Sequence, residues 1–244
     1  MSLPHFFAGA PEPGETVILE PEDAHHALRS LRLHEGDELT SSDGAGAVAR
    51  CRVVRARHLL VEAEVLERTV EPRPRPELAV LLAPPKGDRL SWGVQKLTET
   101  GVDAVVLVDA PRNVRRWTGD RGAQAVERLR AVAREASKQS RRRTIPEVAG
   151  PRPWEATLQE ALGEGPTVLL WEGAHAGLLS LLPEEPPARL ALIVGPEGGI
   201  PQEDAARAEE GGAVLAWLGP NILRTETAAV VAAAVTLARY GRLG

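Results

Sequence analysis

From residue 78 onward, apolar runs of strand length alternate with amphipathic stretches of helix length, and few architectures accept that pattern. Strands are expected over residues 78–83, 104–108, 167–171, 190–194 and 214–218, and helices over 88–100, 119–140, 154–162, 201–210 and 225–240. Strands separated by a helix run parallel, because a parallel neighbour needs a crossover of that length. In the first helix Leu90, Val94 and Leu97 form one apolar stripe, with Asp88 placed to cap its start and Gly101 to end it. The last helix is apolar on every side over 228–235 and rich in small residues, so core or a second subunit has to cover it all round.

The chain before residue 71 has another texture. Short β segments are expected at 16–19, 38–40, 47–54 and 59–66, with one helix at 23–31. Pro13-Gly14, Gly36-Asp37 and Asp43-Gly44 supply the turn conformations between them, and a compact barrel is the expected result. Pro72, Pro74 and Pro76 alternate with Arg73, Arg75 and Glu77, which forbids regular helix and marks a stiff linker. The chain therefore divides into residues 1–72 and 73–244.

Several function classes drop out. A single cysteine, Cys51, precludes an intrachain disulfide and fits a reducing cytoplasm. No targeting segment is expected at the N-terminus, and the longest apolar run falls short of the roughly 20 residues that span a membrane. His25-His26 has no partner set at metal spacing, so no metal is expected, and no Gly-x-Ser-x-Gly elbow occurs. A net charge of -5 argues against a uniformly basic nucleic-acid binder. Residues 112–143 nevertheless hold eleven Lys and Arg against three acids, a local excess that suits a polyanion.

Open parallel sheets bind ligands beyond the carboxyl ends of their strands. Two loops there stand out. The first reads Gly195-Pro196-Glu197-Gly198-Gly199-Ile200-Pro201, with Pro201 suited to the first helical position and Glu203 and Asp204 to the first turn. Its glycines leave backbone N–H groups open to a ligand, and a branched side chain at Gly195 is expected to enter the ligand's space. It is neither Gly-x-Gly-x-x-Gly nor a phosphate loop. The second reads Gly219-Pro220-Asn221-Ile222-Leu223-Arg224-Thr225-Glu226-Thr227. Thr225 can cap the helix and Glu226 suits its positive end, whereas Arg224 opposes the dipole and calls for a ligand or an acidic partner such as Glu226 or Glu197.

Taken together, these residues resemble the RsmE-type 16S ribosomal RNA uridine-N3 methyltransferases of the SPOUT superfamily. The likeness rests on Gly195-Pro196-Glu197-Gly198-Gly199, on Leu218-Gly219 followed by Ile222 to Ala228, on Lys86, on Gln95 to Val102 and on Arg134 to Arg142. The resemblance implies an α/β fold whose parallel sheet carries a C-terminal trefoil knot, preceded by a small PUA-like RNA-binding β-barrel. It implies S-adenosylmethionine held by Leu170, Glu172, Gly195, Pro196, Glu197, Gly198, Leu218, Gly219, Ile222, Leu223, Arg224, Thr225 and Thr227. RNA contacts are expected from Arg29, Arg32, Lys86, Arg115, Arg116, Lys138, Arg141 and Arg142. A homodimer acting on 16S rRNA within the small ribosomal subunit, at a uridine of the decoding region, completes the implied reading.

Uridine N3 must lose a weakly acidic proton before attack, so the enzyme supplies a base or stabilises the anion. Arg224 suits anion stabilisation, with Glu226 the second catalytic candidate and Glu197 another available acid. Two departures from the family pattern stand out: Thr100 where a leucine is usual, and His5 where an arginine is common. The competing readings are a related enzyme acting on a ribose hydroxyl or on tRNA, disfavoured by motif order, and a noncatalytic RNA-binding protein, disfavoured by the intact loops.

Overall fold

The computed structural model describes residues 3–87, 89–113 and 119–243, and its contacts divide the chain into two units. Asp88, Arg115 and Arg116 lie outside the described residues.

The first unit comprises residues 1–73 and 137–145. Its elements are β1 (His5–Phe6), β2 (Thr16–Ile18), α1 (Pro21–Arg29), β3 (Glu38–Ser42), β4 (Ala47–Arg57) and β5 (Leu60–Val70). They form one five-stranded sheet in the order β1-β3-β4-β5-β2. Period-two alternation places Val61, Ala63 and Val65 of β5 inward, where they meet Leu39, Cys51 and Val53 from neighbouring strands and Ala24 and Ala27 from α1. Burial pushes the Cys51 thiol up to about 11, so this cysteine is packing rather than nucleophile. Segment 137–145 joins this unit through Lys138, paired with the buried Asp23 at 2.8 Å, and through the Ile145 N–H, which donates to Gly44 O at 2.9 Å. A boundary drawn at the linker alone does not anticipate that return.

The second unit holds β6 (Glu77–Leu82), α2 (Arg89–Thr100), β7 (Ala104–Asp109), α3 (Gly119–Gln139, whose last residues belong to the first unit), β8 (Glu147–Pro153), α4 (Trp154–Glu164), β9 (Thr167–Leu170), α5 (Leu178–Leu181), β10 (Arg189–Val194), α6 (Gln202–Glu210), β11 (Val214–Ala216) and α7 (Thr225–Arg239). All strands of its six-stranded sheet run parallel, in the order β11-β9-β10-β6-β7-β8. Leu190, Leu192, Ile193 and Val194 of β10 are buried as a continuous run, as expected of an interior parallel strand covered on both faces. Leu90, Val94 and Leu97 form the buried stripe of α2, and Gly101 ends that helix at φ +107.

Three elements were not expected from the sequence. β8 contains Gly150, Pro151 and Pro153, residues that read as loop, and it is tolerated because it sits at the sheet edge. β1 and α5 are too short to carry a period. Near the chain end, Arg242 donates to both Asp103 carboxylate oxygens, at 2.8 and 3.2 Å, and to Gly101 O at 2.9 Å, tying the last residues to the start of β7. No described helix is long and apolar enough to cross a membrane.

Candidate functional site

The carboxyl ends of β9, β10 and β11 lie level, with Leu170 in register with both Val194 and Ala216. The loops that leave them close round a cavity of about 410 Å³, within the size range of small-molecule sites. Eleven of the expected cofactor residues line it: Leu170, Glu172, Gly195, Pro196, Glu197, Leu218, Gly219, Ile222, Leu223, Arg224 and Thr225.

Cross-links hold the three loops together. The Gly199 N–H donates to Pro196 O at 2.9 Å, closing a turn in which Gly199 adopts φ +70. Trp171 Nε1 donates to Ile200 O at 3.0 Å, joining the loop after β9 to the loop after β10. Thr225 Oγ1 donates to Gly195 O at 3.1 Å, joining the start of α7 to the same glycine turn. That bond occupies the hydroxyl expected to cap α7. Arg224 is the N-cap residue, and among the described residues no side chain caps the helix. In the same way, Pro201 is the N-cap of α6 rather than its first helical residue.

The charged residues separate clearly. Arg224 is exposed on the cavity wall, and among the described residues neither glutamate offered as its partner pairs with it. Glu197 Oε1 accepts the Lys86 N–H at 2.8 Å, and Glu226 lies 3.7 Å from Arg89. Glu226 is buried and does not line the cavity, because its side chain faces α2, where a Cβ on Gly93 would stand 3.5 Å from it. Gly198 and Thr227 also lie off the cavity wall. Gly198 faces the loop after β7, with Arg112 Nη1 donating to its carbonyl at 3.3 Å. A Cβ on Gly195 would meet Ile200 side-chain atoms at 2.8 and 2.9 Å, so substitution there perturbs loop packing and does not simply fill the cavity.

Trp171, Val194, Gly199, Ile200, Ala216, Trp217, Pro220, Asn221 and Ala228 also line the wall, although none was named individually as a cofactor residue. Apolar runs ending in tryptophan or leucine read as strand to their last residue, yet β9 stops at Leu170 and β11 at Ala216, which releases Trp171 and Trp217 into the loops.

Arg29, Arg32 and Arg141 are exposed on the first unit, and Lys86 is exposed on the second. Lys138 is committed to Asp23, and Arg142 Nη2 donates to Thr144 Oγ1 at 3.3 Å. His5 bonds the hydroxyls of Thr40 and Ser42 at 3.0 and 3.3 Å. Burial first, and the Arg143 charge second, hold its imidazole below the ordinary histidine value. The ring is therefore bound into the sheet, unlike a projecting arginine.

Comparison with known proteins fits this geometry. An RNA methyltransferase domain profile matches residues 71–237, across all three cavity loops, and an RNA methyltransferase PUA domain profile matches residues 19–66. The ribosomal RNA small subunit methyltransferase E of Mycobacterium tuberculosis is 36% identical over 226 residues, covering 91% of this chain and 86% of that protein. The chain belongs to the ribosomal RNA small subunit methyltransferase E family. The Bacillus subtilis member is 31% identical over 91% of this chain and 89% of its own length. A family structure from Neisseria gonorrhoeae, bound to S-adenosyl methionine, superposes with a TM-score of 0.82 at 27% identity, covering 98% of each chain. A methyltransferase of Legionella pneumophila in complex with the cofactor SAM gives 0.81 at 26% identity, again over 98% of each chain.

Proposed function

We propose that this protein transfers a methyl group from S-adenosylmethionine to N3 of a uridine in the decoding region of 16S rRNA, acting in the cytoplasm on the small ribosomal subunit. The observation that carries the reading is the convergence of three strand-end loops on one cavity that holds a solvent-exposed Arg224, which has no ion-pair partner among the described residues. The cavity also fits the cofactor chemically, since Leu170, Ile200 and Leu223 offer apolar surface while Glu172 and bare backbone groups offer polar partners. Bound there, S-adenosylmethionine supplies an electrophilic methyl group on sulfur.

The protein's part is orientation and charge. Ten of the eleven cavity-lining residues named above, all but Arg224, hold the cofactor. Arg224, with a fixed charge and a planar fork of donors, stabilises the negative charge that spreads onto the uracil carbonyl oxygens as N3 gives up its proton. Solvent takes that proton. Glu197 is engaged by Lys86, and Glu226 faces α2, so both serve better as positioning groups than as the base.

Residues 1–72 act as a PUA-like barrel that binds RNA, with Arg29 and Arg32 as phosphate contacts joined by Arg141 from the returning segment 137–145, and residues 73–244 form the methyltransferase domain. The segment from β11 through α7 is threaded as a trefoil knot. Val230, Val231, Ala234 and Val235 leave a half-buried apolar face on α7, which a second copy of the chain covers in a homodimer.

A methyl group on a ribose 2′ oxygen removes the internal nucleophile that alkali needs, so it leaves an alkali-stable dinucleotide. Small-subunit RNA labelled from methyl-labelled S-adenosylmethionine should instead release essentially all its label as mononucleotides. Label retained in dinucleotides would transfer the assignment to a ribose-directed enzyme.

A further inference from the structure

Two glutamates approach the chain near the start of α2. Glu197, on the loop after β10, takes the Lys86 N–H at 2.8 Å, and Glu226, in the first turn of α7, stands 3.7 Å from Arg89 Nε. The Arg89 side chain is 43% exposed whereas that of Glu226 is 7% exposed, and Glu226 Oε2 is buried without a hydrogen-bond partner. Gly93, one turn beyond Arg89, lies against the Glu226 side chain, where a Cβ would stand 3.5 Å from it. A buried carboxylate with one unsatisfied oxygen is a poor means of holding two helices together, since desolvation offsets the attraction. It is an effective means of fixing a cation. The contact uses Nε, and among the described residues nothing engages the terminal nitrogens, which leaves the guanidinium fork free for bidentate phosphate recognition.

We infer that Arg89, beside Lys86, binds backbone phosphate flanking the target uridine, and that Glu226 is the positioning residue that holds the Arg89 guanidinium, while Glu197 fixes the backbone at Lys86. The inference rests on the proposed function, because it takes RNA as the ligand of this face.

Binding of a small-subunit RNA fragment, measured over a range of salt with S-adenosylhomocysteine present, tests it. Arg89→Gln should weaken RNA binding about tenfold at low salt and make the log–log salt slope shallower by roughly 0.7 to 0.9, the value of one phosphate contact. Affinity for S-adenosylhomocysteine should not change. Glu226→Gln keeps the side chain's size and should reproduce the loss, and the double variant should lose no more than either single, since both act on one contact. Arg89→Lys, which keeps the charge, should retain the salt slope. Wild-type RNA affinity and slope in Arg89→Gln would overturn the inference, as would additive losses accompanied by weaker cofactor binding in Glu226→Gln. Wild-type protein that binds S-adenosylhomocysteine but no RNA would remove the proposed substrate and this inference with it.

Discussion

Arg224→Gln should slow single-turnover methyl transfer by about 100- to 1,000-fold while leaving cofactor and RNA affinity within a few-fold of wild type. Loss of one preorganised donor at the site of developing charge has effects of that order. The physical basis is that Arg224 is exposed on the cavity wall and, among the described residues, pairs with neither glutamate: Glu197 accepts the Lys86 backbone N–H and Glu226 faces Arg89. The pH dependence carries the mechanistic content. If the guanidinium stabilises the uracil anion, the variant should regain part of its rate at high pH, where uridine ionises unaided. Full rate in Arg224→Gln, together with abolished transfer but normal binding in Glu197→Gln or Glu226→Gln, would instead make a carboxylate the base.

Ala228→Phe should weaken S-adenosylmethionine binding by about 100-fold or more, about 2.7 kcal/mol on the affinity scale. Ala228 stands on α7 and its small side chain lines the cavity, so a phenyl group there occupies ligand space without disturbing the glycine turn. Gly195 is the less informative position, because a side chain at that point presses on Ile200. Calorimetry reads the affinity and thermal unfolding confirms the fold; normal affinity in a folded variant would place the cofactor elsewhere.

Much of the architecture follows from hydrophobic period. Runs such as residues 190–194 are apolar without alternation, which only a strand buried on both faces sustains, and the helical stripe of Leu90, Val94 and Leu97 faces the core as its spacing requires. β8 escaped because edge strands tolerate the Gly150-Pro151 step that otherwise signals a loop. At the site, glycine content and strand-end position identified the right loops, but not which residues point inward. Gly198 and Thr227 belong to the motifs yet face away, while Trp171 and Trp217 line the wall because their strands end one residue before each of them. Charge was legible as a count, not as pairing. Lys138 belongs to the basic stretch in sequence, but in the fold it neutralises the buried Asp23, a partner more than a hundred positions away. Arg224 was the most informative single residue, since a cation before a helix start lacks a local structural reason and no described residue pairs with it.

The most direct test of the whole account is the identity of the methylated nucleoside. Small ribosomal subunits from cells lacking this protein, incubated with the purified chain and S-adenosylmethionine, should yield one added 3-methyluridine in the 16S decoding region when nuclease fragments are mapped by mass spectrometry. Methylation of another base, of a ribose, or of no nucleotide in 16S rRNA would contradict it.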